Sequence, residues 1–166
     1  VGTKLYRNTD LSAIPYTNDY YVSTDTLWEQ ITAVTGSGRL TALDISLAQP
    51  NTLWYGSSTG RVYKVDSLDG TPVRTLIDPP QWPNSSYISC VAPNDYDASE
   101  WLVTFCNYGV RSVFLTTDSG ATWTSVSGNI EENPDGTGNG PAVYWAMIYP
   151  TYDGLDNRYF IATSTG

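Results

Sequence analysis

The sequence predicts an all-β chain: a segment of a β-propeller built from four-stranded antiparallel blades. Three observations lead there. The composition of the 166 residues is that of a β protein, with 14 Gly, 10 Pro, 13 Tyr, 6 Trp and one Met, and no Ala/Leu/Glu/Lys-rich window favours a helix. A short element recurs along the chain: a glycine, then a basic residue near an aliphatic–aromatic pair. Finally, the octapeptide Thr116-Thr117-Asp118-Ser119-Gly120-Ala121-Thr122-Trp123 carries the residue types of a tight β-hairpin turn.

The recurrence sets the organisation. Gly60-Arg61-Val62-Tyr63-Lys64, Gly109-Val110-Arg111-Ser112-Val113-Phe114 and Gly2-Thr3-Lys4-Leu5-Tyr6-Arg7 are three copies, and Ser164-Thr165-Gly166 echoes Ser58-Thr59-Gly60. The anchor glycines 2, 60, 109 and 166 lie roughly 50–60 residues apart, the length of a propeller blade with extended loops. Upstream of each comes a short apolar strand (40–45, 87–92, 142–149), then a proline (Pro50, Pro93, Pro150), a loop, and a second apolar strand (53–56, 101–105, 159–162). The glycine opens the third strand. A fourth is expected over 122–126, with counterparts at 72–77 and 26–32. The stretch 27–34 comes nearest to a helix, but its β-branched Ile31-Thr32 reads better as strand.

On this phasing residues 1–39 end a first blade, 40–80 and 81–133 are complete blades, and 134–166 begin a fourth. These three blade-equivalents fall short of the usual four to eight, and a blade buries both faces only against neighbours. A segment of a larger propeller is therefore expected, with an assembly of copies or an open stack as the alternatives. Residue 1 is Val rather than Met, in keeping with a processed chain or a piece of a longer one. Three connections exceed what a hairpin needs: 11–27 with Tyr16, Tyr20 and Tyr21, 78–86, and 128–141. The first is a candidate contact surface. Asp66-Ser67-Leu68-Asp69-Gly70-Thr71 is a worn copy of the octapeptide turn that lacks the Trp.

Net charge −9 with no His leaves no basic stripe, which argues against nucleic-acid and anionic-membrane partners. No apolar run approaches membrane-spanning length. Few charges and many Ser, Thr, Gly and Asn point to a secreted or cell-surface protein. In that setting Cys90 and Cys106, expected on neighbouring antiparallel strands, are either a disulfide or two buried free thiols. No His means no nucleophile–His–acid triad and no convincing zinc site. No phosphate or dinucleotide fingerprint occurs, and no cofactor is expected.

The octapeptide matches the Asp-box pattern Ser/Thr-x-Asp-x-Gly-x-Thr-Trp. With the strands 88–93, 101–105 and 113–117 before it and Ser127-Gly128-Asn129-Ile130 after it, it resembles the BNR/Asp-box repeats of secreted bacterial proteins. These include sortilin-like, xyloglucanase-like and sialidase-like propellers and large exported proteins of the Bacteroidota type. The resemblance covers about residues 40–166 well and the rest loosely. It implies that Thr116, Asp118, Gly120 and Trp123 have structural roles on the blade periphery, away from a central site. Sialidases of this superfamily also need an arginine cluster, a Tyr/Glu pair and an acid. Arg39, Arg61, Arg74, Arg111 and Arg158 and the four glutamates Glu29, Glu100, Glu131 and Glu132 match no such motif.

Candidate chemistry is correspondingly spare. A glycosidase needs two carboxylates across a cleft. Asp44, in an apolar strand expected to line a central channel, is the best single catalytic candidate, against the simpler role of bonding its own backbone. Asp95, Asp97, Asp153 and Asp156 fall in loops between first and second strands and are either weak calcium ligands or solvated turn residues. Among the many aromatics, Trp82, Tyr96 and Tyr152 are expected on loops, where they would form a platform for a sugar or a protein. Asn84-Ser85-Ser86 is a formal glycosylation sequon. The leading expectation is a non-catalytic module presenting loops to a glycan or protein ligand, attached to the rest of a larger propeller or multidomain chain. A glycoside hydrolase fragment whose carboxylates lie partly elsewhere, and a structural subunit of an extracellular assembly, are the alternatives.

Overall fold

The computed structural model describes residues 3–14, 28–31, 38–83, 85–151 and 156–165. The fold is all-β, as expected, and its sheets are antiparallel meanders. Strands β1 (Tyr6–Arg7) and β2 (Glu29–Gln30) make a two-stranded sheet, with a 3-10 turn over Leu11–Ala13 between them. Four strands form the first complete sheet: β3 (Leu40–Ile45), β4 (Leu53–Ser57), β5 (Val62–Asp66) and β6 (Val73–Ile77). The second holds β7 (Ile88–Pro93), β8 (Trp101–Phe105), β9 (Val113–Thr116) and β10 (Thr124–Ser125). Strands β11 (Val143–Pro150) and β12 (Asn157–Thr163) form the last, two-stranded sheet.

The copies are equivalent in detail. In each of β3, β7 and β11 the register shifts near the start, between Leu40 and Ala42, Ile88 and Cys90, and Val143 and Trp145. The irregularity bends the strand at one place in all three. After each second strand the same amide bond recurs: Ser58 donates to the Arg39 carbonyl (2.9 Å), Cys106 to Tyr87 (3.2 Å) and Ser164 to Ala142 (2.9 Å).

The sheets stack face to face, β3 against β7 and β7 against β11. Alternation along each strand sends successive side chains to opposite faces, so the central strands feed two cores. Leu53 and Tyr55 join Ile31, Tyr63 and Val65 on one side of β4, while Trp54 joins Trp101, Val103, Phe105 and Phe114 on the other. Beyond the second sheet, Leu102 and Cys90 pack with Val143, Ala146 and Ile148. This explains why 53–57 and 101–105 read as continuous apolar runs: each strand is buried on both faces. Gly56 permits a close approach of the two complete sheets, since a Cβ there would sit 2.3 Å from the Ile88 side chain on β7.

Candidate functional site

The octapeptide turn joins β9 to β10. Thr116 Oγ1 donates to Asp118 Oδ1 (2.8 Å) and accepts the Gly120 amide (3.0 Å), while Asp118 Oδ1 also accepts the Thr122 amide (2.8 Å). The Thr122 hydroxyl donates to the other carboxylate oxygen, and Trp123 Nε1 donates to the Gly120 carbonyl (3.0 Å). These hydroxyls and amides hold the Asp118 carboxyl below the usual carboxylate range. Gly120 has φ +88°, and a Cβ there would lie 2.9 Å from the Trp101 ring. The Trp123 indole is buried against Trp82 and Trp101. All four residues therefore serve the turn and the core beneath it.

Ser127 and Glu131 extend this arrangement. Ser127 Oγ accepts the amides of Ser112 (3.1 Å) and Val113 (2.9 Å), and Glu131 Oε1 accepts Ser112 as well (2.7 Å). The worn copy behaves differently. Its Asp66 carboxylate accepts the Thr52 hydroxyl (3.0 Å) and pairs with Lys64 (3.1 Å) instead of closing the turn. Beside β10 lies a hollow of about 470 Å³, lined by Gln81, Arg111, Trp123, Ser125, Pro134 and Asp135 among others.

A second region is built by loops joining first to second strands. The loop after β3 and the loop after β7 are tied together: Ser46 Oγ donates to the Asn94 carbonyl (2.6 Å), and the Leu47 amide donates to Asp95 Oδ1 (3.2 Å). Between these ties the loops expose apolar side chains, with Tyr96 76% and Leu47 73% accessible. The Tyr96 amide is held by Asn94 Oδ1 (2.9 Å), which fixes the loop without using the ring. A hollow of about 310 Å³ opens alongside, lined by Ile45, Leu47, Gln49, Asn51, Thr52 and Leu68 among others.

Asp44 stands on β3 below this rim. Its Oδ1 accepts the Ile45 amide (2.8 Å), so it does bond its own backbone. Partial burial pushes its carboxyl up, the Ile45 amide opposes that, and the charge of Asp95 adds to it. Asp95 is spent on the Leu47 amide. Asp97 accepts both the amide (2.8 Å) and the hydroxyl (2.6 Å) of Ser99, which lower its carboxyl. The Asp156 side chain is exposed, while its backbone binds Thr151. Among the described residues no three His, Cys, Asp or Glu side chains converge as metal ligands. Tyr152 and Asp153 lie outside the described residues, as do Tyr16, Tyr20, Tyr21 and Asn84 of the sequon.

One expectation is corrected, and one open alternative is resolved. Trp82 is not a rim residue. It is 5% accessible and packs edge-on against Phe105 and Trp123, because the Pro-rich connection folds its indole back over the core between the two complete sheets. Cys90 and Cys106 are free thiols. The register sets Cys90 opposite Thr104, which leaves Cys106 beyond the end of β8. Cys90 Sγ donates to the Ala146 carbonyl (3.4 Å), and burial pushes its thiol up to about 11.

Sequence reasoning passed over Glu100. It is buried where the second and last sheets meet, and it accepts Asn94 Nδ2 (2.6 Å), Asn157 Nδ2 and the Tyr159 hydroxyl (2.5 Å). The only signal available was a Glu placed between a loop and an apolar strand, which is also the pattern of a solvated loop end. No helix among the described residues is long and apolar enough to cross a membrane. No protein-family model matches the chain, and no curated protein matches its sequence.

Proposed function

We propose that the chain is a non-catalytic β-propeller module of a secreted or cell-surface bacterial protein, whose rim loops bind a carbohydrate or a protein surface. The observation that carries this reading is the pair of cross-tied loops that hold Tyr96 and Leu47 out in solvent. An aromatic ring held out on a fixed loop suits either a sugar face or a protein hot spot. The octapeptide turn is a fastener in this reading, because its polar side chains are already engaged within it.

Asp44 favours one other reading. A carboxyl with a raised pKa beside a second acid, Asp95, is the beginning of a glycosidase site. A glycan array probed with the 166-residue chain and a hydrolysis assay on the glycans it binds separate the two. Tyr96→Ala should weaken binding by about tenfold or more, the equivalent of ~1.4 kcal/mol, while Asp44→Asn leaves it intact and no hydrolysis occurs. Glycan cleavage abolished by Asp44→Asn would overturn the non-catalytic reading. Glycan or protein binding indifferent to Tyr96 would overturn the rim.

A further inference from the structure

The loop carboxylates and hydroxyls described so far are engaged close at hand, in the octapeptide turn and at Asp95, Asp97 and Ser127. The hollow of about 470 Å³ beside β10 is different. Among the described residues, the Arg111 guanidinium on its wall has no ion pair and no hydrogen bond, and the Thr124 and Ser125 hydroxyls have no hydrogen bond either. Asp135 engages Oδ1 with the Thr137 amide (3.1 Å) and hydroxyl (2.7 Å), which leaves Oδ2. Gln81 donates from Nε2 to the Trp123 carbonyl (3.0 Å), which leaves Oε1.

The walls are fixed by the core behind them. Trp82 is buried, and this seats its neighbour Gln81 against the edge of β10. Across the hollow Glu131 is buried and its carboxylate accepts the Ser112 amide (2.7 Å). A Cβ at Gly138 or Gly140 would run into the backbone carbonyls of Glu131 and Ile130, so the loop beyond lies tight on that anchor. The turn over 133–137, closed by the Gly136 amide on the Asn133 carbonyl (3.0 Å), then stands opposite β10. A Cβ at Gly136 would lie 3.8 Å from Ser125 Oγ and 4.0 Å from Arg111 Nε, so these two groups face one shared gap. Polar groups held in place before a ligand arrives lose little freedom on binding it.

We propose that this hollow is a second ligand site, and that it takes a unit of a neutral saccharide. Its charged lining residues are Arg111 and Asp135, one of each sign. An anion would meet Asp135, which the Thr137 hydroxyl and amide, with a smaller contribution from Arg111, hold below the usual carboxylate range and so ionised at neutral pH. A cation would meet Arg111. An apolar ligand would strip water from both without replacing its hydrogen bonds. A sugar hydroxyl donates and accepts at once, so neighbouring hydroxyls can donate to Asp135 Oδ2 and Gln81 Oε1 while accepting from Arg111 and Ser125. Trp123 and Phe114 also line the hollow and offer the C–H face of the ring an apolar surface. The volume is that of a small-ligand site, ~300–1,000 Å³. The site stands without the Tyr96 rim and shares with it only the class of ligand.

The test is an NMR titration of the 166-residue chain with cello-, xylo-, manno- and galacto-oligosaccharides, and with oligogalacturonate as the acidic counterpart. At least one neutral oligosaccharide should saturably shift the Trp123 indole N–H and the amides of 124–126. Arg111→Ala should weaken that binding by about tenfold, the equivalent of ~1.4 kcal/mol, with an unchanged circular dichroism spectrum because the side chain is exposed. Asp135→Asn should weaken it too. If none of the neutral oligosaccharides moves those resonances, if oligogalacturonate moves them more strongly, or if Arg111→Ala binds as the parent chain does, the site is overturned. Shifts confined to the Tyr96 loop would sink the hollow and keep the rim. Shifts confined to the hollow would do the opposite for sugar binding.

Discussion

At the scale of single residues, an aromatic in this chain has to be judged by where its loop turns. Trp82 and Tyr96 look alike in sequence, each in a polar connection near Pro and Asn. The first is driven inward because Phe105, Phe114 and Trp123 leave a space for its ring. The second is held outward by Asn94 and the neighbouring loop. Trp82→Ala should therefore lower stability by about 3–5 kcal/mol, as for other large core truncations, and leave ligand binding by folded protein unchanged. Tyr96→Ala should do the reverse. Denaturant unfolding beside a binding assay checks both halves, and a Trp82→Ala protein of wild-type stability would contradict the core assignment. The octapeptide turn was legible because each fixed position has one mechanical reason. Its Thr, Asp, Gly and Trp make the bonds their chemistry calls for, and no partner outside the local sequence was needed to foresee them.

At the scale of elements, strand placement was also legible, since period-2 patterning and punctuating glycines and prolines are local. The strand over 101–105 appears where expected, and 40–45 likewise. Fourth strands are shorter than their pattern: the one expected over 26–32 holds Glu29–Gln30, with Trp28 and Ile31 outside it, and that of the second sheet holds Thr124–Ser125, with Ser127 and Glu131 engaging the start of β9 just beyond it. Contacts between elements were not legible. Glu100 binds Asn157 and Tyr159 across more than half a hundred residues of sequence, and no local signal specifies such a pair. This carboxylate latches the last sheet to the second, and its effect can be read from Tyr159. Desolvation, then the hydrogen bond and charge of Glu100, raise the phenol from its ordinary value to about 12. A folded pKa above the unfolded one means that this contribution to stability is fully present below about pH 10 and is lost as pH rises through about 12. Absorbance titration of the phenolates should show Tyr159 ionising late, alongside Tyr55, whose phenol burial also raises, and Glu100→Gln should bring Tyr159 back toward the others. An unchanged titration in that variant would show that the latch does not act on Tyr159.

At the scale of the whole molecule, a stack of sheets that share cores divides the chain into a buried body and an exposed edge of loops. The cores lie between sheets, where Trp54 meets Trp101 at 5.3 Å and Leu102 meets the last sheet. The exposed groups of the rim lie on the loops that leave the first strands. Composition and repeat spacing carried the body of this account because burial on both faces demands continuous apolar runs. They could not carry the rim, whose geometry depends on two loops about fifty residues apart meeting through Ser46 and Asn94. Amide hydrogen exchange along the chain, read by mass spectrometry, tests this division most directly. Leu53–Ser57 and Trp101–Phe105 should exchange most slowly, and the loops 46–52 and 94–100 far faster. Exchange of those two strands at the rate of the loops would contradict a body of sheets that bury one another's faces.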